Sequence, residues 1–315
     1  MSANASVATA VASGQKDAER GHRSRVAAGY FLFGTLIIAL TVYGFDYYTL
    51  GTADRPFSPK YAALRPSGTI GLKLGWLGVI MFLIIFLYPL RKAWPWLMKK
   101  GSSRHWLDYH VILGIAAPFI IAFHSSFKFR GFAGMAFWIM FAVSVSGIVG
   151  RYLYGQIPRN LKAAEMTRKE LQELHQKFAA ELQQQRLISE RDLRDLLTLP
   201  SAERVQSLSM FTALGYMFIL DIARAFRVAK MRRHALSFGD KLKTAGGFLS
   251  TGNHQVERAV IAAREDAALT KRILFLKRSE QVFHLWHVIH KPFSYTFALL
   301  AMFHIGLALS MGFRW

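Results

Sequence analysis

Residues 110–124, HVILGIAAPFIIAFH, and residues 290–304, HKPFSYTFALLAMFH, each begin and end on histidine within an otherwise largely apolar run. Fourteen steps along an α-helix rise ~21 Å and return to within about 40° of the same face. Each stretch, read as a helix, therefore presents two imidazoles on one side, one near each end of a membrane crossing. Between them the same face carries Gly114, Ala117 and Ile121 in the first stretch, and Ser294, Phe297 and Ala301 in the second. Gly114, Ala117, Ser294 and Ala301 leave room beside the imidazoles that Leu or Trp would fill. Pro118 and Pro292 are tolerated in buried membrane helices and bend them.

Working outward, the rest of the chain supplies the membrane. Of its 315 residues 52% are hydrophobic, and apolar runs of about bilayer length cover residues 26–45, 71–90, 107–127, 132–154 and about 282–312. About 20 apolar residues cross the ~30 Å hydrocarbon core, so five spans are expected. The run from Val26 is too long for a signal-peptide core and lacks a small-residue cleavage site, which makes it an uncleaved first span. The fold class expected is an all-α integral membrane protein. Residues 1–25 form an N-terminal tail, 26–155 spans one to four, 156–281 a helical insert, and 282–315 span five.

The formal net charge of +21 would suit a nucleic-acid binder, but its distribution argues otherwise. Basic residues gather before span one (Arg20, Arg23, Arg25), after span two (Arg91 to Arg104) and after span four (Arg151 to Lys169). Cytoplasmic loops carry such an excess of Lys and Arg. The N-terminus and the insert are accordingly placed inside, Trp315 outside, in a bacterial inner membrane, with lipid and not nucleic acid as the surroundings. Cysteine is absent, which removes cysteine-ligated clusters, thioether-linked haem and disulfides.

With spans three and five parallel, His110 is paired with His290 at the inner level and His124 with His304 at the outer level. Two opposed imidazoles at one depth are what an axially bis-ligated haem iron requires. One histidine in a span already points to function, although an interhelical hydrogen bond alone can account for it, and small residues at helical spacing are more often a helix-packing face than a cofactor pocket. Two pairs with identical spacing are not so easily dismissed. The expected cofactors are two non-covalent, bis-histidine haem b groups. Arg104, Arg151 and Lys291 are candidates to face inner propionates, although topology alone explains such charges. His287 lies seventeen residues from His304, roughly 100° off its face. It is read, like His105, as an interfacial residue, and His22, His175, His234 and His254 as surface residues.

In the insert, residues 163–185 suit an exposed helix, and Ser189 with Asp192 resembles a helix start. After Pro200 a longer helix is expected to about His234, then a loop over 239–252 and a helix over 256–276. Residues 210–226, MFTALGYMFILDIARAF, place Asp221 only about eleven residues in, too soon for a full span. They read as an interfacial helix or as part of the insert's own core. Lys230, Arg232 and Arg233 form a basic cluster suited to docking an acidic redox partner or subunit.

On the histidine pairs of residues 110–124 and 290–304, the sequence resembles the ferric reductase-like transmembrane family, which includes the NADPH oxidases. The resemblance covers spans one to five, about 60% of the chain. It implies that His110, His124, His290 and His304 ligate two haem b groups and that electrons pass from a cytoplasmic-side donor to an outer-side acceptor. The chain departs from the family in having no glycine-rich dinucleotide fingerprint and in carrying the 156–281 insert. Electrons must therefore be exchanged with another protein or subunit, or with a quinone. A quinol-oxidising bc-type cytochrome b also uses two histidine pairs, but its Pro-Glu-Trp-Tyr signature is missing. A histidine-based metal transporter is disfavoured by the scarcity of carboxylates in the spans.

Overall fold

The computed structural model describes residues 2–157, 173, 191, 194–195, 198–235 and 244–313, with side chains from residue 18 onward except that of 259. Among these residues every regular element is helical. Among the described residues five helices are long and apolar enough to cross a membrane: Ala18–Tyr48, Tyr61–Ala93, Ser103–His124, Gly131–Gln156 and Leu276–Ser310. These are spans one to five below. The chain divides into two compact units, the first holding Met1–Arg151 with Val288–Trp315, the second Tyr152–His287.

In the first unit, spans two and three pack closely along their length, and span one joins span three. Leu74, Met81, Ala116, Ala117, Ile120 and Phe123 form the buried centre. Proline shapes this bundle. A helical proline has no N–H to offer the carbonyl four residues earlier. Pro118 thus frees the Gly114 carbonyl, which accepts from the Ser144 hydroxyl of span four at 2.7 Å. Neighbouring side chains rescue freed carbonyls in this way because lipid offers them no water.

Span three starts at the Ser102 cap, whose hydroxyl accepts from the His105 amide. It was expected to run to Phe127 and stops at His124. Ser126 and Phe127 turn to left-handed φ values of 50° and 57°, and the buried Ser126 hydroxyl donates to the Leu64 carbonyl at 2.6 Å. Two buried arginines close the ends of the bundle. Arg55 donates to the carbonyls of Leu50, Tyr48 and Ser126. Arg91 donates to the Ser103 hydroxyl and to the carbonyls of Met98 and Gly101. Arg91, read from sequence as a loop charge, is a loop clamp, and so is Arg55.

The second unit contains α7 (Ala202–Ser207), α8 (Met210–Ala235) and α9 (His254–Leu274). The single helix expected after Pro200 is split, because Leu208 at ψ 143° is extended. Residues 210–226 belong to α8, which is not among the five spanning helices. One side of α8 builds a core from Ala213, Met217 and Leu220 with Val205 and Phe275. Its other side leaves Phe211, Phe218, Ile219, Ile222 and Phe226 exposed. Asp221 is held by the Lys271 ammonium at 2.5 Å and by the Tyr152 hydroxyl at 2.7 Å. Burial pushes the Lys271 pKa down, against the opposing pull of that carboxylate.

Asn253 caps α9 by accepting from the Gln255 and Val256 amides. Gly247, at φ 89°, approaches α8 so closely that a Cβ would lie 2.4 Å from the Ala229 carbonyl oxygen. The basic cluster at the end of α8, expected to be a docking surface, is only partly at the surface. Arg232 is buried, paired with Glu257 and bonded to the Gly247 carbonyl, so it holds the loop and is not a docking residue. Lys230 pairs with Asp195 at 3.1 Å, and Arg233 is exposed. The expected helix over 163–185 and the helix start at Ser189 lie almost wholly outside the described residues.

Candidate functional site: the histidine-bearing spans

Span five shows which of its faces is turned inward. His290, Ser294, Phe297, Ala301 and His304 are all partly covered, whereas Lys291, Phe293, Tyr295, Thr296, Met302 and Phe303 are exposed. The covered stripe is the face read from the sequence. Phe297 packs edge-on to Phe82 of span two, and Phe303 to Phe132 of span four. In span three Ala117 is buried and His110, Gly114 and His124 are partly buried.

The two imidazoles of span three make the same bond at two levels. His110 Nδ1 lies 3.0 Å from the Ile85 carbonyl oxygen, and His124 Nδ1 lies 2.8 Å from that of Gly71. Both carbonyls belong to the antiparallel span two. They are fourteen residues apart, as the histidines are, so a single helix register serves both. A carbonyl only accepts, so each ring must carry its proton on Nδ1. Nε2 is left with its lone pair.

Ile85 is available to His110 for a readable reason: its helical donor would be residue 89, which is proline. At the outer level the device is space. A Cβ on Gly75 would sit 2.7 Å from the His124 ring, so only glycine lets the imidazole lie against span two.

His290 reaches a different neighbour. Its Nδ1 is 2.7 Å from the Ser146 hydroxyl of span four, while that hydroxyl is 2.8 Å from the Val143 carbonyl. The His290–Ser146 contact links spans four and five side chain to side chain at the inner level. Gly147 passes the same ring, and a Cβ there would stand 3.8 Å from it. His304 is partly covered at the outer end of span five. The inner histidines, His110 and His290, make their hydrogen bonds to separate helices, span two and span four.

The other predicted site residues fall around this frame. The Gly114 carbonyl is taken by Ser144, and a Cβ on Gly114 would meet nothing within 4 Å. Ser294 donates to the His290 carbonyl at 2.7 Å. Arg151 is engaged with Asp108 at 2.6 Å, Arg104 stands 3.9 Å from Glu19, and Lys291 is exposed. His287 bonds within its own helix to the Phe283 carbonyl.

His22, expected on the surface, is only 2% exposed. It stacks on His105 with ring centroids 3.7 Å apart and pairs with Asp108 at 2.9 Å. Its position in a basic leader gave no hint of a partner in span three. His234 and His254 are exposed as expected, and His175 lies outside the described residues. Among the described residues no three His, Cys, Asp or Glu side chains gather as a metal cluster; an axial haem site asks for two imidazoles per iron. Comparison of the chain with protein-family models, with curated proteins and with solved structures finds no match.

Proposed function

We propose that this chain is a di-haem b membrane cytochrome that passes electrons between the two sides of the bilayer, as one component of a larger oxidoreductase. The observation that carries the reading is the pair of hydrogen bonds on span three. His110 and His124 each direct Nδ1 at a backbone carbonyl of span two, which in the neutral ring leaves the Nε2 lone pair that metal ligation needs. The covered stripe from His290 to His304 supports it, as does the open space beside Gly114.

In this reading His110 and His290 hold the inner haem, and His124 and His304 the outer one. Bound there, haem supplies a one-electron couple at each level. The chain's own residues orient the ligands through Ile85, Gly71 and Ser146, and the apolar walls of Phe82, Phe297 and Ile121 exclude water. The donor is a cytoplasmic-side protein, subunit or quinol, and the acceptor lies on the outer side. The resemblance to the ferric reductase-like family points the same way.

The test is conduction. Purified protein in sealed vesicles that entrap ferricyanide should carry electrons inward from dithionite added outside, faster than protein-free vesicles of the same lipid. Equal rates in the two, with haem content intact, would remove transmembrane electron transfer from the account.

A further inference from the structure

Resting on the di-haem reading, we infer that Pro89 is a positioning residue for the inner haem: it reserves the Ile85 carbonyl for His110 and so sets the ligand strength of that imidazole. Pro89 lies inside the helix Thr69–Ala93 and cannot donate to the carbonyl four residues before it. The acceptor left over is that of Ile85, and the donor that meets it is His110 Nδ1–H at 3.0 Å. In an apolar bundle an unsatisfied carbonyl is costly, so helix and ring each supply what the other lacks.

The outer level is the internal comparison. His124 bonds to Gly71 at 2.8 Å, but Gly75, four residues on, keeps its amide and shares the same carbonyl. The inner imidazole thus has a carbonyl to itself and the outer one does not. A ligating histidine whose second nitrogen donates strongly is the more basic ligand, and a more basic axial ligand favours the ferric state.

Pro89→Ala restores an amide hydrogen at the Ile85 carbonyl. The carbonyl has two lone pairs, so the bond to His110 is weakened rather than abolished and the helix is retained. In the substituted protein the midpoint potential of the inner haem should rise and its low-spin electron paramagnetic resonance signal should shift. The outer haem, unchanged, serves as the control for folding. The inner signal is assigned as the one lost in His110→Ala.

A second readout needs no haem. Ring nitrogen-15 shifts of His110 in the haem-free full chain should report a pure Nδ1–H tautomer in the natural sequence and a mixture in Pro89→Ala. An inner potential and ring shifts that do not move in Pro89→Ala, with two haems present, would overturn the role of Pro89 alone. A natural-sequence protein that takes up no haem would overturn the di-haem reading beneath it, whatever the ring shifts show.

Discussion

His110→Ala or His290→Ala is expected to leave one haem in place of two, with the outer haem's spectrum intact. His124→Ala or His304→Ala should remove the outer haem and spare the inner one. The grouping follows from fourteen-residue spacing on both helices and from the parallel course of spans three and five. Redox titration of the four purified variants checks it, since each loss should delete one component of a two-component curve. If His287→Ala deletes the inner component while His290→Ala preserves it, the register assigned to span five is wrong. His287 also directs Nδ1 at an oxygen, that of its own helix, so it is the fourteen-residue spacing to His304 that favours His290 as the ligand.

Gly75→Ala tests the same site from the opposite helix. The added methyl would fall 2.7 Å from the His124 ring, well inside van der Waals contact, and the Gly71 carbonyl that holds Nδ1 lies one turn away. The ring must leave its place. Loss of such an outer partner typically weakens metal retention roughly 10- to 100-fold, so the outer haem should wash out first under competition with apomyoglobin. The inner haem should stay. Alanine is a better helix former than glycine by up to about 1 kcal/mol, so a lost outer haem would not reflect a weakened helix. Undiminished retention of both haems would show that the His124 ring does not need the space above Gly75.

The spans and the histidine face were legible because a helical period is coarse and regular. His290, Ser294, Phe297, Ala301 and His304 follow from counting, and the covered stripe coincides with the count. What counting does not supply is the register between helices. Pro89 and Pro118 announce that two carbonyls are free, but only packing shows that His110 and Ser144 reach them. His22 was misplaced for the same reason, since a histidine among arginines looks solvated until its partners on span three are known. Arg232 was misread because a basic run gives no sign of which member turns inward to Glu257. The early end of span three depends on Ser126 meeting Leu64, sixty-two residues away, a contact no local pattern contains.

Haem stoichiometry tests most directly whether two haems sit between the paired histidines. The pyridine haemochrome assay on purified protein, normalised to polypeptide, should return two b haems per chain, with none covalently attached and a low-spin ferric spectrum. A preparation that binds no haem when supplied with it, and carries zinc instead, would contradict the account.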